Sequence, residues 1–308
     1  MRTRLSGVFP PIPTAFDDTT GHVAPAAVAV NVRRLMAMPL AGVLALGSNG
    51  EAPLLAEEES DRVVAAAREA VPADRVLLVG TGREATRATV EASRRAAGLG
   101  ADAVLVRAPF FYGAQMSQAA LLAHFTAVAD ASPVPVVLYN LPGVTGFSLT
   151  AGLVEQLAEH RNIVGLKETS SDLDRLGRFA AIRPDRFAVL SGSAPVLYPA
   201  LCAGAVGGIL AVANILPSAC LAMLQDVRAG RHESALALQR RLVRIAQLVS
   251  TVHGVAGLKA ALEMIGQPGG PVRPPLRPLA AEAREEIRAE LTAFQASFEA
   301  RDTDRALV

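Results

Sequence analysis

Lys167 ends the apolar run Ile163-Val164-Gly165-Leu166, so a chain that carries an amine stands where the segment otherwise asks for burial. Desolvation disfavours the charged form of a lysine, and the neutral amine is the species that adds to a carbonyl to form a Schiff base. The competing assignment is a lysine that carries its head to the rim of the fold or pairs with Glu168 or Asp172. Tyr139 ends the preceding apolar run, in LYNLPGVTG. A phenol can relay a proton to a carbinolamine or from a substrate hydroxyl when a partner stabilises its anion. A buried tyrosine capped by a carbonyl would read the same way in sequence. Upstream, Leu46-Gly47-Ser48-Asn49-Gly50-Glu51 sets glycines around two small polar residues. Such a turn aims backbone N–H groups and a hydroxyl at an anion such as a carboxylate, unless it only caps a strand. Ser191-Gly192-Ser193 and Gly207-Gly208-Ile209 are two more small-residue stretches, with room for a ligand or for close packing.

Other chemistries find little support. The 5 histidines, His22, His124, His160, His232 and His253, are scattered and give neither HxH nor HExxH, so no metal is expected. Gly80-Thr81-Gly82 is followed by Arg83-Glu84-Ala85, which lacks the last glycine of a dinucleotide fingerprint. No P-loop and no Ser-His-Asp order is legible, and no cofactor is expected. The 2 cysteines, Cys202 and Cys220, lie in apolar surroundings without CxxC spacing and are expected to fill the core. With 30 basic against 29 acidic residues the net charge is +1, which argues against a nucleic-acid or anionic-membrane surface.

The elements that must position these residues follow from periodicity. Eight short runs rich in β-branched residues predict strands near Ser6–Pro10, Gly42–Leu46, Arg75–Val79, Ala103–Val106, Pro135–Tyr139, Ile163–Lys167, Phe187–Leu190 and Ala205–Leu210. Between them, helical spacing predicts Pro25–Met36, Ala56–Ala70, Glu84–Ala97, Gln115–Ala129, Thr150–His160 and Asp172–Ala181. Strict alternation with right-handed crossovers demands a parallel sheet, and eight units fit a closed (β/α)₈ TIM barrel. Its active site belongs at the C-terminal ends of the strands, where Lys167, Tyr139 and Ser48 all fall. Residues 1–229 are read as the barrel and 230–308 as a C-terminal helical extension, with helices at His232–Val249, Val255–Ile265 and Ala280–Phe298. At 308 residues the chain can bury a large core without disulfide or metal staples. Phe187 to Gln225 carries no charged residue, but Pro195, Pro199, Gly204, Gly207, Gly208, Asn214 and Pro217 break the run, so it reads as buried helix, strand and helix rather than a membrane span. The N-terminal MRTRLSGVFPPIPTAF has no continuous apolar region of a secretory signal, which leaves a cytoplasmic protein as the expectation.

Taken together these motifs resemble the dihydrodipicolinate synthase and N-acetylneuraminate lyase superfamily of pyruvate-type class I aldolases. The resemblance runs nearly end to end, through GVFPPIPTAF, GVLALGSNGEAPLL, VGTG, ATVEASRRAAGLGADAVLV, LYNLPGVTG, NIVGLKET, LSGSA, GAVGGILAVAN and GLKAALEMIGQPGGPVRPPL. The interval from Tyr139 to Lys167 matches the family's spacing between its tyrosine and its Schiff-base lysine. The resemblance implies that Lys167 forms the imine with a 2-oxo acid, Tyr139 shuttles the proton, Ser48 and Asn49 hold the pyruvoyl carboxylate, and Ile209 lines the site. It also implies a homo-oligomer, a tetramer, with no metal or cofactor.

Two departures bear on the subgroup. The family's synthases carry an arginine two residues after the proline of YNxPxxTG to bind a second carboxylate; here that position is Val144, so a charge-assisted partner is lost. The second tyrosine of the family's relay maps to Phe111, which cannot pass a proton; Tyr112 beside it is the candidate replacement, near a neighbouring subunit. GSNGE, GSA, GAVGG and the GLK…GGP tail look instead like 4-hydroxy-2-oxoglutarate aldolase. The reading is therefore a lyase that splits a 4-hydroxy-2-oxo acid into pyruvate and an aldehyde such as glyoxylate. Thr169 is the expected contact for the distal end of the substrate, or else a helix N-cap. Arg107 is an alternative for that end, though an outward surface position is expected for it. Competing functions are a 2-keto-3-deoxy sugar-acid aldolase or dehydratase, a dihydrodipicolinate-synthase-type condensation, and a catalytically silent 2-oxo-acid binder.

Overall fold

The computed structural model describes residues 1–306, with side chains to residue 298. Eight parallel strands form one sheet: β1 Val8–Phe9, β2 Gly42–Ala45, β3 Val76–Gly80, β4 Ala103–Arg107, β5 Val136–Asn140, β6 Ile163–Glu168, β7 Ala188–Ser191 and β8 Gly207–Ile209. Sequential strands pair from β2 to β8, and β8 pairs in turn with β1. The Ile12 N–H donates to Leu44 O at 2.9 Å and the Leu44 N–H to Pro10 O at 3.0 Å, which ties the β1 segment to β2 and closes the barrel. Every predicted strand is present, with ends that coincide with the prediction or differ by one or two residues. The largest trimming is at β1 and β8, where a Cβ on Gly207 would lie 1.9 Å from Gly7 O. Only glycine lets those two backbones approach so closely.

Period two sorts the strand side chains between two cores. Leu44, Leu78, Leu105, Val137, Leu190 and Ile209 fill the barrel interior. Val43, Leu77, Val104, Leu138 and Leu166 face outward against the helices. Those helices include Pro25–Met36, Glu57–Ala70, Thr86–Gly98, Gln118–Ala131, Ala151–Ala158 and Leu173–Ala181, in the predicted places. After β7 and β8 come Leu197–Cys202 and Pro217–Arg228, so the charge-free stretch resolves into packed strands and helices. Among the described residues no helix is long and apolar enough to cross a membrane.

The C-terminal helices are His232–Gln247, Gly254–Met264 and Ala281–Ala306, the first two linked by a π-helical turn at Leu248–Val252. Their Leu242, Ile245, Leu258, Leu262, Ile287 and Leu291 join the same continuous core as the outer faces of the strands. One expectation about the core fails. Cys220 is buried, and burial pushes its thiol up to about 12. Cys202 is exposed, because it ends the helix Leu197–Cys202, which turns Leu197, Ala200 and Leu201 inward instead.

Candidate active site

In β5 and β6, Tyr139 is the register partner of Lys167 and Asn140 that of Glu168. Adjacent parallel strands in register turn such partners to the same face, so Tyr139 and Lys167 share the barrel interior while Asn140 and Glu168 share the outer side. Both members of the inner pair are buried, Lys167 to 4% exposure and Tyr139 to 6%. The Lys167 Nζ donates to Tyr139 Oη at 3.2 Å and lies 4.3 Å from the ring centroid. Burial pushes the phenol up, but the Lys167 charge and the hydroxyls of Ser48 and Thr169 beside it outweigh burial, and the net shift is below the ordinary phenol value. A phenol biased toward its anion, 3.2 Å from a buried amine, is equipped to take and return a proton next to an imine.

Ser48 and Asn49 lie in a single 3₁₀ turn, Ser48–Gly50, that follows β2. The first N–H groups of any helical turn have no partner within it, which leaves those of Ser48 and Asn49 outside the turn's own hydrogen bonds. Leu46 and Glu51, on either side, both take left-handed backbone angles with φ of 55° and 54°. The Thr14 hydroxyl fastens the turn by donating to Gly50 O at 2.6 Å. Ile209 is buried in the interior cluster that also holds Tyr139.

A cavity of about 280 Å³ opens at this end of the barrel, and Ser48, Gly82, Arg83, Leu105, Arg107 and Tyr139 are among its walls. The inward position of Arg107 differs from the expectation of an outward surface arginine. Alternation explains it: Ala103 and Leu105 face the interior, and Arg107 is next in the same series. Its guanidinium pairs with Glu84 at 2.7 Å and stands 4.7 Å from the Phe110 ring centroid. Gly82 leaves the space that its Cγ occupies, since a Cβ there would approach to 2.7 Å.

Thr169 is not a helix N-cap. Asp172 holds that position, its carboxylate accepting from the Arg175 N–H at 2.9 Å, while the Thr169 hydroxyl is turned toward Gly192 and Tyr139. A Cβ on Gly192 would lie 1.9 Å from Thr169 Oγ1 and 2.9 Å from Lys167 Cε. The small-residue stretch after β7 thus makes room for the Lys167 side chain itself, a role that spacing alone does not reveal.

Phe111 and Tyr112 do not join this group within the single chain. Their side chains are 76% and 67% exposed and meet each other edge to face at 5.1 Å. The backbone of this loop is held at its base, where the N–H groups of Phe110 and Phe111 both donate to Glu84 Oε2. Val144 is also exposed, at 54%. Among the described residues no group of three His, Cys, Asp or Glu side chains is placed to hold a metal.

Comparison with known proteins adds the family. Residues 4–294 match the dihydrodipicolinate synthetase family. The 4-hydroxy-tetrahydrodipicolinate synthase of Methanopyrus kandleri is 34% identical over 94% of this chain and 97% of its own length. A probable mitochondrial 4-hydroxy-2-oxoglutarate aldolase of Emericella nidulans is 36% identical over 97% of this chain and 96% of its own. The structure of YagE, a prophage protein of the same family from E. coli K12 in complex with pyruvate, superposes with a TM-score of 0.88 at 31% identity, covering 94% of this chain and 98% of that one. Dihydrodipicolinate synthase from Cyanidioschyzon merolae with lysine bound gives 0.90 at 29% identity, over 95% and 99%. Since these matches run through the barrel and the helices beyond it alike, the chain belongs to the dihydrodipicolinate synthetase family and is a lyase of that fold.

Proposed function

We propose that the protein is a Schiff-base aldolase that cleaves a 4-hydroxy-2-oxo acid, such as 4-hydroxy-2-oxoglutarate, to pyruvate and an aldehyde such as glyoxylate. The observation that carries this reading is the buried Lys167–Tyr139 pair at 3.2 Å, beside a turn with N–H groups to offer. Lys167 Nζ adds to C2 of the substrate, and loss of water gives an iminium. Ser48 and Asn49 hold the C1 carboxylate at the start of their turn. Tyr139 takes the proton of the C4 hydroxyl as the C3–C4 bond breaks, and its electron pair passes into the iminium to form an enamine. The aldehyde leaves; the enamine is protonated at C3, and water releases pyruvate and the free lysine.

One feature favours cleavage over the synthase condensation. Val144 is apolar and exposed where the synthase pattern places its arginine. Arg107, in the cavity wall, and the Thr169 hydroxyl beside Tyr139 are the proposed contacts for the distal end of the substrate. In this reading residues 1–229 supply the catalytic barrel and 230–308 the extension. The active form is a homotetramer in the cytoplasm, in which a second copy covers the exposed Phe111 and Tyr112.

The test is intact-mass spectrometry after borohydride reduction with pyruvate, then a substrate panel. Wild type should gain one covalent adduct and Lys167→Ala none, and 4-hydroxy-2-oxoglutarate should be cleaved faster than pyruvate condenses with aspartate semialdehyde. No adduct on folded wild type would favour a silent 2-oxo-acid binder, and the reverse order of rates would favour the synthase.

A further inference from the structure

The carboxylate turn is held from behind by a charge pair that the proposed chemistry does not use. Glu51 ends the turn and is 2% exposed; Lys259, on the helix Gly254–Met264, is also 2% exposed. Lys259 Nζ lies 2.6 Å from Glu51 Oε1. The other carboxylate oxygen, Oε2, accepts the Arg273 N–H at 2.8 Å. Lys259 Nζ also donates to Pro271 O at 2.6 Å and stands 4.4 Å from the Phe16 ring centroid. Although Pro271 and Arg273 are partly exposed, the two charged side chains of the pair have themselves been taken out of water, a cost that an apolar pair of the same volume would avoid.

Geometry gives the pair a task. Glu51 sits at φ 54°, a left-handed angle that non-glycine residues adopt uncommonly and at a steric cost. That angle turns the chain immediately after Ser48–Gly50, and the Glu51 N–H donates to Ser48 O, so whatever holds Glu51 holds the end of the turn that carries Ser48 and Asn49. The segment that grips Glu51 is itself built for close approach. Gly270 has φ 68°, and a Cβ there would meet Phe16 O at 2.7 Å, while one on Gly269 would meet Lys259 O at 2.3 Å. The Gly269-Gly270-Pro271 tail therefore lies where only glycines let it reach the back of the turn.

We propose that Lys259 and Glu51 are positioning residues, a buried ion pair through which the C-terminal extension sets the turn that receives the substrate's C1 carboxylate. This rests on the 2-oxo-acid reading, and the experiment separates the two. Borohydride trapping is titrated with pyruvate and, in parallel, with hydroxyacetone, a carbonyl compound that lacks the carboxylate. Variants are Lys259→Met, Lys259→Arg and the double variant Lys259→Met/Glu51→Gln, each checked by circular dichroism and thermal melting. Lys259→Met is expected to raise the pyruvate concentration for half-maximal trapping at least 10-fold, while hydroxyacetone trapping changes less than 2-fold; Lys259→Arg should recover part of the loss. Equal losses with both carbonyls, or no loss with pyruvate, would overturn the proposal. Should Lys259→Met fail to fold because it strands a buried carboxylate, the double variant, which removes both charges, carries the same comparison. Unfolding of both would assign the pair to stability alone. If folded wild type is not trapped by pyruvate, the Schiff-base reading fails instead, and calorimetric titration of pyruvate into the same variants then reads the turn by the same 10-fold criterion.

Discussion

Lys167 Nζ and two hydroxyls converge on Tyr139, and that convergence is what the proposed role of its phenol as proton carrier rests on. Replacing it with Phe keeps the ring and removes the proton, so kcat should fall by about 10²–10⁴ while pyruvate trapping on Lys167 persists. An unchanged kcat would move the proton transfer to another group, with Tyr112 the first to test. Gly192→Ala probes the same centre from the other side. Its methyl would collide with Thr169 Oγ1 and crowd Lys167 Cε, so trapping should slow at least ~10-fold, the equivalent of about 1.4 kcal/mol. Trapping at the wild-type rate would show that the lysine has room to spare. At this scale the sequence is legible where a residue breaks its surroundings. Lys167 ends an apolar strand, and a charge there asks for a reason. Arg107 was equally legible from the alternation Ala103, Leu105, Arg107, yet a terminal arginine reads as surface when the period is not carried to its last residue. What Gly192 makes room for depends on β6 and β7 lying side by side, which no local spacing contains.

Strand β6 has two faces with different surroundings. Lys167 turns inward to the barrel interior beside Tyr139, while Glu168 turns outward and is fully buried beneath the helices. The Asn140 amide donates to Glu168 Oε2 at 2.6 Å, and its own carbonyl accepts the Leu149 N–H at 2.9 Å, so this outer pair fastens β5 to β6 and to the next segment. Burial raises the Glu168 carboxyl above the ordinary carboxylate range, against the lowering effect of Ser170, Asn140 and Arg175. A carboxyl with a raised pKa in the folded state holds its proton more tightly there than in the unfolded chain. Its contribution is therefore present at low pH and lost as pH rises through the folded value. Glu168→Gln keeps an acceptor for Asn140 and removes that titration. Relative to wild type, the variant should gain stability as pH rises from 4 through the raised value, read from urea midpoints across pH. A wild-type-minus-variant difference that is flat in pH would show that Glu168 ionises in the fold as easily as outside it. Strand existence was legible because β-branched runs and turn residues alternate along the whole chain; strand ends were not, because the last residue of each is fixed by its ladder partner.

Over the whole molecule, the predicted division at residue 230 describes chain order better than it describes the core. Helical periodicity revealed the C-terminal helices, since Leu242 and Ile245 share one face of the first and Leu258 and Leu262 one face of the second. It could not show that the segment after them crosses to the barrel mouth, because that route is set by glycine close approaches and one arginine. Arg273 grips Glu59 with both guanidinium ends at 2.5 and 2.8 Å, donates to Leu54 O and Gly21 O, and stacks 4.2 Å from the Phe16 ring centroid. Since the helices after residue 230 share one apolar core with the strands and are tied to the loops after β1 and β2, neither part has a separate interior to keep when the other opens. Unfolding should accordingly be a single transition. The chain has 0 tryptophans, so far-ultraviolet circular dichroism and calorimetry are the suitable probes, and their midpoints should coincide. Arg273→Ala removes a forked, charge-assisted contact that is mostly out of water and should lower stability by about 2–4 kcal/mol without splitting the transition. Arg273→Lys should recover only part of this, because a single ammonium cannot span both carboxylate oxygens and two carbonyls at once. Two resolved transitions in wild type, or a second one appearing in Arg273→Ala, would instead show that the C-terminal helices fold on their own and only dock against the barrel.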